Sequence, residues 1–272
     1  MPFDGLRVLS LESRRAVEIE KLIRNQGGIS FVAPSVREVP LAENPQAMAF
    51  FEKLQRGGFD MVILLTGVGT RYLDKVLDTR FPPGSLTEAL KKVTVVCRGP
   101  KPAAVLREWN VPIAVTAAEP NTWREVLAAT EGRPETRIAI QEYGRESVAL
   151  AESLRARGAS VTSVPVYQWE LPENLDPLRE AARRIAANDV DVILLTAAIQ
   201  VQHLLQVAAE LGIEDAVRAA LPRLVVASIG PTTSETLRGA GLPVDFEPSH
   251  PKMGFLVNES AQRAHELLAA KR

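Results

Sequence analysis

Five short segments of this 272-residue chain combine small, hydroxylic and cationic residues as anion-binding turns do. They are Thr66-Gly67-Val68-Gly69-Thr70, Arg98-Gly99-Pro100-Lys101, Tyr143-Gly144-Arg145, Thr196-Ala197-Ala198-Ile199 and Gly230-Pro231-Thr232-Thr233. Each follows a short apolar run, and most lead into a helical pattern. A helix N-terminus presents unpaired N–H groups and a partial positive charge, so such a turn can hold a carboxylate or phosphate without a lysine. Several of these turns facing one another would suit a polyanion.

Plainer readings compete with each feature. Thr232-Thr233-Ser234-Glu235 has the S/T-x-x-E spacing of a capping box, which only starts a helix. Gly67-Val68-Gly69 resembles the opening of a dinucleotide loop, but Tyr72 stands where that motif needs a small residue, and this argues against NAD or FAD. A phosphate-accepting receiver would carry acidic residues at strand ends where this chain has Ser10 and Thr66. Cys97 is the single cysteine, and His203, His250 and His265 share no metal-ligand spacing with it, so neither a disulfide nor metal catalysis is expected. Cys97 reads as a buried strand residue. Tyr167, with an ordinary phenol pKa of about 10, reads first as an amphipathic packing residue.

The elements that position these segments recur. Val62-Ile63-Leu64-Leu65-Thr66 returns unchanged at Val192 to Thr196, 130 residues later. At nearly the same shift Arg7-Val8 matches Arg137-Ile138, Pro34 matches Pro165, Gly99-Pro100 matches Gly230-Pro231, and Val111-Pro112 matches Leu242-Pro243. That period is too long for a solenoid and about the length of one domain. The chain therefore reads as two related domains, with the active cleft expected between them.

Within each copy strand alternates with helix. Leu6 to Ser10, a helical pattern through Ala16, Ile19, Leu22 and Ile23, a Gly27-Gly28 stop and Ile29 to Val32 form one βαβ signature, and Ile138 to Val164 repeats it. The runs near Val62 and Val192 are apolar without alternation, as a parallel strand covered on both faces requires. Val93 to Cys97 and Leu224 to Ser228 add strands that lead into Gly-Pro. Tyr167 to Leu171 alternates, as a half-exposed strand does, and Val36 to Val39 is its counterpart, so the two are expected to form a paired linker. The fold class is α/β: two flavodoxin-like parallel sheets flanked by helices and joined by a two-stranded β linker.

Composition sets the outer limits. The chain is 46% hydrophobic and 24% charged, with a net charge of −1, enough to fill two cores and without the basic excess that nucleic acid or acidic lipid would call for. No apolar stretch approaches the roughly 20 residues of a membrane span, and the N-terminus has no signal-peptide core. A cytoplasmic monomer with no nucleic-acid or membrane partner is expected.

Taken together, Ile229-Gly230-Pro231-Thr232-Thr233 with Leu237 and Gly241-Leu242-Pro243-Val244, the linker Val166-Tyr167-Gln168-Trp169, and Leu195 to Val201 resemble the uroporphyrinogen-III synthase family across essentially the whole chain. The resemblance implies domains built from residues 1–36 with 168–272 and from 37–167, hinged at the two-stranded linker. It implies cyclisation of hydroxymethylbilane, a linear tetrapyrrole with eight carboxylates supplied by hydroxymethylbilane synthase, with inversion of the last ring, loss of water and no cofactor. Tyr167 would assist departure of the hydroxyl. Thr232 and Thr233 with Gly230, Thr196, Ala197 and Ala198, and Thr66 with Gly67 would bind carboxylates, and Arg98, Lys101, Arg145 and Arg14 would be further charge partners, each equally well explained as a solvated surface residue. Where many members carry a serine-rich turn, this chain has Thr196-Ala197-Ala198 and Thr66-Gly67-Val68-Gly69, which leaves more of the work to backbone donors. The Arg98 to Lys101 and Thr66 to Gly69 segments look more like a branch in which the domain can be joined to a C-terminal DNA-binding domain. A non-catalytic tetrapyrrole-sensing module of the same fold is the alternative.

Overall fold

The computed structural model describes residues 2–40, 44–142, 144 and 146–271. Along the chain the first elements are β1 (Arg7–Ser10), α1 (Ala16–Asn25), β2 (Ile29–Val32), β3 (Arg37–Pro40), α2 (Pro45–Gln55), β4 (Met61–Leu64), α3 (Gly67–Leu77) and α4 (Ser85–Leu90). There follow β5 (Thr94–Cys97), α5 (Pro100–Glu108), β6 (Val115–Thr116), α6 (Trp123–Ala129), β7 (Arg137–Gln141), α7 (Val148–Ala156), β8 (Ser160–Val164) and β9 (Tyr167–Glu170). The last part holds α8 (Asp176–Ala186), β10 (Val192–Leu195), α9 (Ala198–Glu210), α10 (Glu214–Ala220), β11 (Val225–Ser228), α11 (Pro231–Gly239) and α12 (Met253–Ala269). Two compact units result: unit 1 is Met1–Arg37 with Glu170–Arg272, and unit 2 is Glu38–Trp169.

Each unit contains a wholly parallel sheet. Unit 1 orders its strands β11-β10-β1-β2 and unit 2 orders them β6-β5-β4-β7-β8. In each sheet a βαβ pair from one sequence copy joins the central strands of the other: β1 and β2 lie beside β10, and β7 and β8 beside β4. Where unit 2 has β6 as a fifth strand, the described residues of unit 1 have the bridge between Ala227 and Phe246. The strands β3 and β9, at the two points where the chain passes between units, form a separate two-stranded sheet.

Side chains of a strand point alternately to its two faces, so a strand covered by helices on both sides must be apolar throughout. In β4, Val62 and Leu64 face a core built with α2, α3, α4 and α5, while Met61 and Ile63 face one built with α6 and α7. In β10, Ile193 and Leu195 face α8, α9, α10 and α11, and Val192 and Leu194 face α1 and α12. Both strands are buried along their length.

Hydrogen-bond register corrects the alignment of the two copies. The N–H of Asp191 donates to the Arg7 carbonyl and that of Asp60 to the Arg137 carbonyl, both in parallel ladders. Val8 stands opposite Val192 and Ile138 opposite Met61, which makes Met61 the counterpart of Val192. The identical pentapeptide is thus one residue out of structural step, and the counterpart of Thr66 is Ala197, each being the residue before its helix. The Gly99-Pro100 and Gly230-Pro231 pairs keep the true offset of 131. The same ion pair fastens both ladders. The main-chain N–H and guanidinium of Arg7 hold the Asp191 carboxylate at 2.9 Å, and those of Arg137 hold Asp60, whose carboxyl is drawn down to about 2 chiefly by the Arg137 guanidinium.

Candidate strand-end site

Ligands of open parallel sheets lie beyond the carboxyl ends of the strands. In unit 1 those ends are residues 10–13, 33–36, 196–198 and 228–232. The α9 start is closed from within. The side-chain carbonyl of Gln200, 2% exposed, accepts the N–H of Thr196 at 2.8 Å and of Ala197 at 3.2 Å, and its amide donates to the Thr196 hydroxyl and the Leu11 carbonyl. The Thr196 hydroxyl itself donates to the carboxylate of Glu12. Ala197 has no side-chain acceptor for the helix start, so glutamine at the third helical position takes over capping.

Around this point a further set of polar groups is satisfied. The Ser13 hydroxyl accepts the N–H groups of Ser35 (3.1 Å) and Val36 (2.9 Å), and Ser35 donates to the Leu11 carbonyl. Buried His203 places Nδ1 2.6 Å from the Ser35 carbonyl, a distance at which that nitrogen carries the proton. His203 therefore orders the strand end. Among the described residues no three His, Cys, Asp or Glu side chains are grouped to hold a metal ion.

At β11 the chain turns through Gly230 into α11. Here the capping-box expectation fails: the residue before the helix is Gly230, Pro231 opens it, and Thr232 and Thr233 already lie inside its first turn. The N–H groups of Thr233 and Ser234 both lean back to the Gly230 carbonyl, at 3.1 Å each. Thr232 is partly exposed, Thr233 and Ser234 are buried, and the Ser234 hydroxyl has no partner. Proline at the first helical position suits this turn because its missing N–H would be unpaired there anyway. Pro251, just ahead of α12, covers Gly230 closely enough that a side chain there would meet it at 3.3 Å.

The corresponding end of unit 2 is built differently. Thr66 caps α3 with its own hydroxyl, which accepts the Gly69 N–H at 2.9 Å, while its N–H donates to Gln141 at 3.2 Å. Gly67 and Gly69 are demanded by packing: a Cβ on Gly67 would sit 2.8 Å from the Lys101 carbonyl, and one on Gly69 would overlap the Gln141 amide. The glycines bring α3 close to α5 and to the sheet, which explains them without a dinucleotide. Arg98 is partly buried directly after β5, and Lys101 is exposed in the first turn of α5. Arg14, exposed, belongs to unit 1, and Arg145 lies outside the described residues.

Glu142 follows β7 and is 2% exposed. One carboxyl oxygen accepts the Ser147 N–H at 3.0 Å and the other has no partner. Burial pushes this carboxyl up to about 6. Tyr167 begins β9 with 3% exposure in the core of unit 2, its ring 5.7 Å from that of Tyr72 and 6.5 Å from that of Trp169. Cys97 is fully buried and its thiol is pushed up to about 12 by burial, which removes it as a nucleophile.

Sequence reasoning found Thr66, Thr196 and the Gly-Pro turns but missed Gln141, Gln200, Glu12 and Glu142. Gln200 had a readable signal, a glutamine three residues into a helix whose first position lacks a cap. Glu12 and Glu142 also had one, since both stand five residues after the paired Arg7 and Arg137.

The family described as uroporphyrinogen-III synthase HemD matches residues 17–258. An uncharacterised protein of Bacillus subtilis strain 168, YjjA, is 28% identical over 268 residues, which are 96% of this chain and 97% of that one. A mutant uroporphyrinogen III synthase from the extremely thermophilic bacterium Thermus thermophilus superposes with a TM-score of 0.74 at 23% identity, over 96% of this chain and 99% of that one. The uroporphyrinogen-III synthetase of Helicobacter pylori 26695 gives 0.52 at 14% identity, over 94% and 98% of the two chains, a likeness of fold. No helix among the described residues is long and apolar enough to cross a membrane. With the family model matched from Val17 to Asn258, well over half of its length, the chain belongs to the uroporphyrinogen-III synthase family.

Proposed function

We propose that this protein is a uroporphyrinogen-III synthase, a lyase that cyclises hydroxymethylbilane to uroporphyrinogen III with inversion of ring D and loss of water, acting as a cytoplasmic monomer that receives its substrate from hydroxymethylbilane synthase. The observation that carries the reading is the family match running through both units. The substrate loses its hydroxyl, with a proton, as water and becomes an azafulvene. The substituted carbon of the last pyrrole attacks it to form a spiro intermediate, whose rearrangement and proton loss close the ring. Because the same linear substrate closes without inversion in free solution, the protein's main task is to hold one folded conformer, which is positioning catalysis.

In unit 1 the Thr232 hydroxyl and the first turn of α11, with Thr233 and Gly230, are assigned to substrate carboxylates, together with Thr196, Ala197 and Ala198. In unit 2 the assigned contacts are Thr66, Gly67, Arg98 and Lys101, with Arg145 as a further charge partner. A helix N-terminus favours an anion by up to about 2 kcal/mol when partly buried. Since Gln200 holds two of the α9 donors, a carboxylate there must exchange with protein groups, whereas Thr232 is partly exposed. Tyr167 is assigned as the hydrogen-bond donor to the departing hydroxyl. Its ring is held by Tyr72 and Trp169, so Tyr167→Phe keeps the packing and removes only the O–H.

The test is incubation with enzymatically generated hydroxymethylbilane, followed by oxidation and separation of the type I and type III uroporphyrins. Type III is expected to dominate when the protein is present. Type I alone would overturn the synthase reading in favour of a tetrapyrrole-binding module without turnover.

A further inference from the structure

The acidic residue at the α9 end is out of character for a site that takes an eightfold carboxylate. Glu12 is partly exposed, one of its oxygens accepts the Thr196 hydroxyl, and the other accepts the Arg15 N–H at 3.1 Å. Its own N–H donates to the Ser10 hydroxyl at 3.2 Å, which fixes the turn that carries it. The Thr196 hydroxyl also accepts from the Gln200 amide at 2.9 Å, so its single proton is committed to Glu12. The arrangement is duplicated. Glu142 stands at the equivalent place after β7, with one oxygen on the Ser147 N–H and the other buried and unpartnered. Both units thus set a carboxylate just past the end of the first strand of their βαβ pair.

We infer that Glu12 is an internal carboxylate ligand, seated on the Thr196 hydroxyl that a substrate carboxylate would use, and that it determines how tightly this strand end takes a polycarboxylate. The inference rests on the reading of the site as one for tetrapyrrole carboxylates. A carboxylate is an acceptor only, and so is the incoming group, so the two compete for one hydroxyl and repel each other at close range. Binding there becomes an exchange, in which Glu12 swings toward solvent as substrate arrives.

The experiment measures binding of uroporphyrin III, the stable octacarboxylate, by fluorescence quenching to the whole chain. Glu12→Gln is expected to tighten binding about fivefold, the effect of removing one nearby like charge. Thr196→Val is expected to erase that gain when combined with Glu12→Gln, because the competition runs through the Thr196 hydroxyl. Should Glu12→Gln fold poorly, Glu12→Asp, whose shorter arm draws back from Thr196, replaces it with a smaller tightening expected. Wild-type binding with unchanged or weaker binding by these variants would overturn the inference and leave the synthase reading standing. No binding of uroporphyrin by the wild type would overturn the assignment of this strand end to carboxylates, and the inference with it.

Discussion

The two units close the same strand end with different chemistry. In unit 2 the residue ahead of the helix is Thr66, which caps α3 with its own hydroxyl, and the next residue must be glycine because the Lys101 carbonyl is 2.8 Å from where a Cβ would be. In unit 1 the counterparts are Ala197 and Ala198, and the cap comes from Gln200. Identical local sequence therefore does not mean identical position: the shared pentapeptide puts Thr196 and Thr66 in register on paper, and the ladders put them one residue apart.

The largest expected break in this comparison comes from exchanging the first helical residues. Gly67→Ala forces a methyl against backbone and is expected to lower the stability of unit 2 by about 3 kcal/mol, the upper range of overpacking, while Ala198→Gly costs unit 1 about 1 kcal/mol or less. Urea unfolding of both variants measures the difference, and equal losses would dissolve it.

Next is Gln200→Ala, which strands the N–H groups of Thr196 and Ala197 and leaves the Leu11 carbonyl with the Ser35 hydroxyl as its donor. A loss of about 2 kcal/mol is expected. Gln141→Ala strands chiefly the Thr66 N–H and is expected to cost about 1 kcal/mol in the same urea titrations. A reversed order would mean that Gln141 carries more of the fold than its hydrogen bonds do.

The buried carboxyl of Glu142 sharpens the comparison through pH. Its folded value of about 6 lies above the ordinary 4.5, so the folded unit holds a proton that the unfolded chain has released. That contribution is fully present below pH 4.5 and is lost as pH rises through 6. It amounts to about 2 kcal/mol, from 1.36 kcal/mol per pH unit. Unfolding free energies measured from pH 4 to 7.5 are expected to fall by this amount in wild type relative to Glu142→Gln, and parallel curves would contradict the assignment.

The smallest effect belongs to the caps. Thr66→Ala removes the hydroxyl that accepts the Gly69 N–H and is expected to cost about 1 kcal/mol. Ala197→Ser, where Gln200 already fills the role, is expected to change stability by less than about 0.5 kcal/mol. Thermal melts of the two variants decide it.

Much of the fold was legible because burial on both faces leaves its mark in every strand: Met61 to Leu65 and Val192 to Leu195 have no polar position to spare. The βαβ pairs were equally plain from the Gly27-Gly28 and Gly158 stops. The pairing of β1 with β10 and of β7 with β4 could not be read from the strands themselves, because nothing in a strand's composition names its neighbour across 184 or 77 residues, and only the family resemblance implied domains that combine the two copies. In the candidate site the turns stood out through glycine, proline and threonine, whereas the groups that satisfy them did not. Glu12 reaches Thr196 and Gln200 reaches Leu11 only after folding, and long polar side chains advertise no partner in sequence. The burial of Tyr167 against Tyr72 likewise depends on a contact between β9 and α3 that spacing alone does not contain.

The most direct measurement is the ratio of type III to type I uroporphyrin as the protein is titrated into a fixed flux of hydroxymethylbilane. A synthase predicts a ratio that rises with protein and saturates with type III almost alone. A ratio that stays at the spontaneous type I value at every protein concentration would contradict the account.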